Sequence, residues 1–300
     1  MSELLNLSEV DIWTYQILLI DLAIAVLMIA GLRFIRGLVT NVDSTEELAS
    51  KDNYAFGIAM AGGTVALALM LTGAVSGEPG ATLVDELISV ISYGVLGLIL
   101  LWVGRLGQDK LVLTGIEIQA QIKQGNLSAA LIDVANTIAT GLVLRAVMIW
   151  VESDTWNGLI VVLAAFVITQ VLLAAVTRYR LMVYSRRHEG ANLQVAFEAG
   201  NVALSARYLG HISGVALAVT AASGVAQYDT DNLVVALGTW VGVTILFTVL
   251  VSVLAIFARK VILAGVDVVD EVDNQKNVGV AAIEAAIYIS IGLFFTALFA

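Results

Sequence analysis

Hydrophobic residues along the 300-residue chain gather into eight long runs separated by shorter polar stretches. The runs are continuously apolar and lack two-residue alternation, so each reads as a helix crossing a bilayer and not as a barrel strand. The expected spans are Ile12–Leu38, Ala55–Ser76, Leu87–Gly104, Leu127–Val151, Gly158–Val176, Val202–Val225, Leu233–Phe257 and Val278–Phe299. The first run has neither a basic flank nor a small-residue cleavage site, so it is expected to be a span and not a signal peptide. Composition agrees: 59% of residues are hydrophobic and 13% charged, with a mean hydropathy of +0.93. Soluble domains carry roughly 25% charged residues.

Polar positions set the orientation. Thirteen of the 15 basic residues lie after the odd-numbered spans: Arg33, Arg36, Lys51, Arg105, Lys110, Lys123, Arg178, Arg180, Arg186, Arg187, Arg259, Lys260 and Lys276. The opposite side carries Glu3, Glu9, Asp11, Glu78, Asp85, Glu86, Glu152, Asp154, Asp229 and Asp231, and no lysine or arginine. The positive-inside rule then places both termini on the non-cytoplasmic side. Trp13, Trp150 and Trp156 fall at the outer boundary, where an aromatic belt is expected.

The even-numbered spans each open on an asparagine: Asn53, Asn126, Asn201 and Asn277, spaced by 73, 75 and 76 residues. Aligned on them, Ala68, Gly141, Ala216 and Gly292 fall in one column, Leu69, Leu142, Leu217 and Leu293 in the next. Thr72, Arg145, Thr220 and Thr296 share a third. Such columns point to duplication. The expected architecture is all-α, with eight transmembrane helices in four parallel two-helix repeats. Residues 1–152 form a first membrane half (units 1 and 2) and residues 153–300 a second (units 3 and 4). A pseudo-symmetry axis along the membrane normal would follow, as in parallel-repeat transporters; a plain duplicated bundle is the competing expectation. The pairs Gly62/Ala66, Gly238/Gly242 and Ala281/Ala285 have the small-xxx-small spacing of packed membrane helices. Pro79 is the only proline and lies in a connection, so no span carries a proline kink.

The segment LTGIEIQAQIKQGNLSAALIDVANTIATGL, residues 113–142, resembles the bacterial membrane family called domain of unknown function 350. GNVALSA at 200–206 and KNVGVAA at 276–282 are similar, and DNYAFGIA in the first copy departs from the pattern. The resemblance would cover nearly the whole chain, at twice the four-helix length of smaller relatives. It implies a multi-pass bacterial inner-membrane protein without an established activity, with a link to membrane stress.

Ionisable groups inside spans are functional candidates. Counted from each asparagine, Arg207 stands at +6, Asp133 and Glu284 at +7, and Asn136 and His211 at +10. At 100° per residue these offsets occupy a sector of about 100°, roughly 9–15 Å into the helix. Units 2, 3 and 4 would thus contribute to one polar layer, in which Arg207 pairs with Asp133 or Glu284. Two readings stand: a buried ion-pair cluster that fixes helix register, and a hydrated site or proton relay. Arg145 lies on another face, expected to snorkel outward or to meet Asp21. Gln170 and Tyr93 are expected in interhelical hydrogen bonds. His188 and the acidic run 266–273 read as solvated.

The chain has no cysteine. It also lacks a histidine pair for haem, an H-E-x-x-H zinc motif and a lysine within a span, so no cofactor and no metal site is expected. Without a phosphate loop or nucleophile elbow an enzyme is not expected. A net charge of −10 argues against nucleic acid as a partner. The expected partners are the bilayer, a homo-oligomer or a cytoplasmic protein. The preferred function is a conduit, a channel or transporter for an ion or small solute using the polar layer. The alternative is a non-catalytic membrane scaffold or stress-assembly partner.

Overall fold

A computed structural model describes residues 12–40, 42–77, 81–151 and 156–300, the side chains of 33–40, 156 and 157 excepted. Glu3, Glu9, Asp11, Glu78, Pro79, Glu152 and Asp154, with the side chains of Arg33, Arg36 and Trp156, lie outside the described residues. Among the described residues ten helices follow in order: α1 (Ile12–Thr40), α2 (Tyr54–Ala74), α3 (Leu83–Gly107), α4 (Ile118–Lys123), α5 (Leu127–Trp150), α6 (Trp156–Arg187), α7 (Leu193–Glu198), α8 (Val202–Val225), α9 (Leu233–Ile262) and α10 (Val278–Phe299). Single π-helical turns add Glu46–Ser50, Gln108–Val112 and Asp270–Asn274. Among the described residues there are no strands, and eight helices are long and apolar enough to cross a membrane.

Three odd-numbered spans outrun their apolar signal. The α6 helix continues to Arg187 beyond the expected end at Val176, α9 to Ile262 beyond Phe257, and α3 passes through its π turn to Val112 beyond Gly104. Hydropathy marks the part of a helix that meets hydrocarbon, and neither Pro nor Gly interrupts 177–187. At 32 residues α6 is roughly 48 Å long, well over the ~30 Å hydrocarbon layer. The end of the bundle bearing the basic connections, here the basic end, therefore projects beyond it.

Helices α2, α5, α8 and α10 pack side by side in a row, α2 on α5, α5 on α8 and α8 on α10. The row is open, with α2 and α10 at its ends, so the four do not surround an axis. Its seams explain why. Gly141 and Arg145 of α5 meet α2, whereas Asn136 and Trp150 on the opposite face reach toward α8. A Cβ on Gly141 would lie 2.5 Å from the Ala66 carbonyl oxygen, and one on Gly210 would lie 2.2 Å from the Ala285 Cα. Helix backbones in contact on opposite faces generate a stack, not a ring. Gly62 and Ala66 pack as expected, against Val134 and Gly141 of α5, and Ala285 packs against Gly210. Gly238 and Gly242 do not: a Cβ on either would meet nothing within 4 Å.

Trp150 is a second departure. It is buried, stacks on Trp240 with ring centroids 5.3 Å apart, and donates its indole N–H to the Ala226 carbonyl at 2.7 Å. It joins α5 to the end of α8 and faces protein, not the aromatic belt. Hydropathy alone does not separate a tryptophan at the boundary from one packed inside it.

Candidate functional site

The four asparagines all cap helices. The side-chain oxygens of Asn53, Asn126, Asn201 and Asn277 accept from Phe56, Ala129, Leu204 and Val280 N–H at 3.1–3.2 Å. Each is preceded by a residue with positive φ: Asp52 (48°), Gly125 (81°), Gly200 (77°) and Lys276 (56°). This left-handed residue turns the chain from the connection into the helix. The asparagine amides then tie the connections together. Asn53 donates to Glu47 Oε2 at 2.9 Å and to the Ile122 carbonyl at 3.0 Å, and Asn126 donates to Gln121 and to the Glu198 carbonyl, both at 2.9 Å. Asn277 donates to Glu271 at 2.8 Å. Bonds from Lys51 and Asn53 hold the buried Glu47 carboxyl below the usual range.

The expected polar layer separates into two clusters. In the first, Asp133 of α5 pairs with Arg105 of α3 at 2.7 Å and accepts from Gln119 of α4 at 3.2 Å. In the second, Arg207 of α8 donates from Nε to Glu284 Oε2 at 2.6 Å, from Nη1 to Asp273 and from Nη2 to the Val268 carbonyl at 2.9 Å. Arg259 of α9 reaches Glu284 Oε1 at 2.6 Å. Arg207 thus pairs with Glu284 and not with Asp133. Asn136 bridges the two regions by accepting from the Tyr208 hydroxyl at 2.7 Å, and Tyr208 is also 3.0 Å from Thr177 of α6. His211 Nε2 stands 3.8 Å from Glu284 Oε1, beyond hydrogen-bond reach, and its ring packs edge-on against Tyr288 at 4.1 Å.

Several partners come from segments that read as solvated. Asp273, in the acidic run, is buried and also contacts His188 Nε2 at 3.0 Å, while His188 lies against the Tyr184 ring. Asp273 is not solvated and His188 is only partly exposed, because the connections fold back over the ends of α8 and α10. Within the same run Asp270 is surface-placed, bonded to Asn274 and Gln275. Arg145 donates to Thr72 Oγ1 at 3.1 Å across the α2–α5 seam, and Asp21 neighbours Glu86 of α3, so the two do not pair. Gln170 makes a long contact of 3.4 Å to Thr140.

A cavity of about 50 Å³ adjoins the second cluster. On one wall α6 presents Arg180, Val183, Tyr184 and Arg187; facing it, α8 presents Leu204, Arg207, Tyr208 and His211. Both sets follow the three-and-four spacing of one helical stripe. Among the described residues no three metal-ligating side chains converge.

Long apolar helices, glycine seams and ion pairs at one end define a multi-pass helical membrane protein. The model of the family described as Domain of Unknown Function (DUF350) matches residues 7–148 and again 154–299, so the chain belongs to that family, in two tandem segments. It is similar to the "UPF0719 transmembrane protein" of Aquifex aeolicus (strain VF5), 28% identical over 134 residues. That match takes in 45% of this chain and about half (49%) of the relative's length. No solved structure matches.

Proposed function

We propose that the protein is a non-catalytic membrane scaffold, with its basic end on the cytoplasmic side of a bacterial inner membrane serving as the interaction face. The observation that carries this reading is the saturation of Glu284: both carboxylate oxygens are held by arginines from different helices. Above that layer, glycine contacts close the α8–α10 seam at Gly210, Gly214 and Gly292. A charge network closed on itself below a tight backbone contact is suited to fixing helix positions. The connections at the basic end are ordered by the asparagine bonds, and between α4 and α7 they frame an open polar groove of about 440 Å³. Four tandem parallel units would present such a surface repeatedly on one side.

A conduit is the second reading, favoured by the cavity beside Arg207 and His211. Proton and ion flux in proteoliposomes separates the two. Flux equal to protein-free liposomes supports the scaffold; flux that falls when Glu284 is replaced by Gln in folded protein refutes it. A photo-crosslinker at the exposed Gln124 then tests whether the basic end contacts one defined protein in cells.

A further inference from the structure

Arg180 of α6 and Arg105 of α3 hold equivalent places, each 21 residues before a capping asparagine, Asn201 and Asn126. Arg105 finds a carboxylate, Asp133, seven residues beyond its asparagine. The matching residue on α8 is Tyr208, whose hydroxyl is engaged by Asn136 and lies beside Thr177. Among the described residues Arg180 has no carboxylate partner. Its Nε is buried and meets no acceptor, and its polar contact is a long one of 3.5 Å from Nη2 to the Tyr288 hydroxyl. A partly buried guanidinium whose Nε is shielded from water and unpaired calls for an acceptor.

The cavity supplies the place for one. Four guanidiniums line it (Arg180, Arg187, Arg207 and Arg259) against two carboxylates, Asp273 and Glu284. Both carboxylates are already taken, by Arg207, Arg259 and His188. The field left over is positive, and the free donors are those of Arg180 and Arg187. At about 10–15 Å³ for each water-sized group, a 50 Å³ space has room for a small ion of a few such groups. Arg180 also lies four residues past Val176, where the apolar run of α6 ends, hence about 6 Å beyond it and near headgroup level.

We propose that this cavity binds a phosphate oxyanion, free or carried by a lipid headgroup, through Arg180 at its wall and Arg187 at its mouth. Guanidinium donors match phosphate oxygens in geometry and charge. The site stands independently of the scaffold reading, because a scaffold or a conduit would hold the same anion with the same residues.

The test uses the full-length protein. Its thermal unfolding is followed with inorganic phosphate against chloride at equal ionic strength in neutral detergent. It is then followed in the same phosphate-free neutral detergent with and without added phosphatidylglycerol. Stabilisation by phosphate identifies a free anion; stabilisation only by phosphatidylglycerol identifies a headgroup; either supports the site. Arg180→Gln weakens apparent affinity roughly tenfold or more, and Arg187→Gln, at an exposed position, weakens it less. If Arg180→Gln fails to fold by circular dichroism, Arg187→Gln decides alone. No stabilisation by either probe, or affinity unchanged in every folded variant, overturns the proposal.

Discussion

Arg259 on α9 places Nη1 2.6 Å from Glu284 Oε1 on α10, a carboxylate seven residues past its capping asparagine. Arg105 on α3 stands in the same relation to Asp133 on α5, also seven residues past its cap. In both halves of the chain an arginine near the basic end of one span clamps a carboxylate on the next. The ion pairs thereby act as struts between adjacent spans, and their loss is expected to appear as lost stability.

Glu284→Ala leaves Arg207 and Arg259 facing each other without the carboxylate that joins them. Breaking a buried pair costs about 3–5 kcal/mol, and here one carboxylate serves two arginines. Unfolding in detergent should show a loss at the upper end of that range. A loss below about 1 kcal/mol would mean that the cluster is well hydrated.

Asp133→Asn should weaken the protein separately, through its contacts with Arg105 and Gln119. Among the described ion pairs the two clusters share no partner, so the losses from Asp133→Asn and Glu284→Ala should add within about 0.5 kcal/mol in the double variant. A single coupled layer would give a double variant much less destabilised than the sum.

Gly210→Ala drives a Cβ into the α10 backbone at 2.2 Å and should destabilise by about 1–3 kcal/mol. Gly238→Ala meets nothing and should stay within about 0.5 kcal/mol of the parent or gain slightly. The pair of unfolding curves measures which glycines close the bundle.

Glu47 makes stability depend on pH. Its folded pKa is depressed by bonds from Lys51 and Asn53, so its contribution is fully present above its ordinary value of 4.5 and fades as pH falls through the folded value. Melting temperature followed downward from above pH 4.5 should fall less steeply in Glu47→Gln, whose side chain does not ionise.

The helices were legible in the sequence because a bilayer demands long apolar runs, and the four asparagines were legible because a cap recurs at fixed register. The face carrying Asp133, Arg207 and Glu284 also followed from helical periodicity. Their partners did not. Arg105 and Arg259 lie on the polar ends of α3 and α9, past their apolar runs, and Asp273 lies in a connection that reads as a solvated loop but folds back onto α8. The signal that was available is the equal distance of Arg105 and Arg180 from their asparagines. The open row of α2, α5, α8 and α10 was likewise hidden, since sequence shows that small residues recur but not which neighbour each one meets.

Whether water crosses the α8–α10 region is the most direct question for the scaffold reading. The parent chain has no cysteine, so Ser213→Cys on α8, at a buried serine near the Gly214 contact, reports on that region alone. A membrane-impermeant thiol reagent applied from either side should leave it unmodified, while Gln124→Cys at the exposed basic end reacts fully. Rapid modification of the cysteine at position 213 in folded protein would reveal a wet path and contradict the closed bundle.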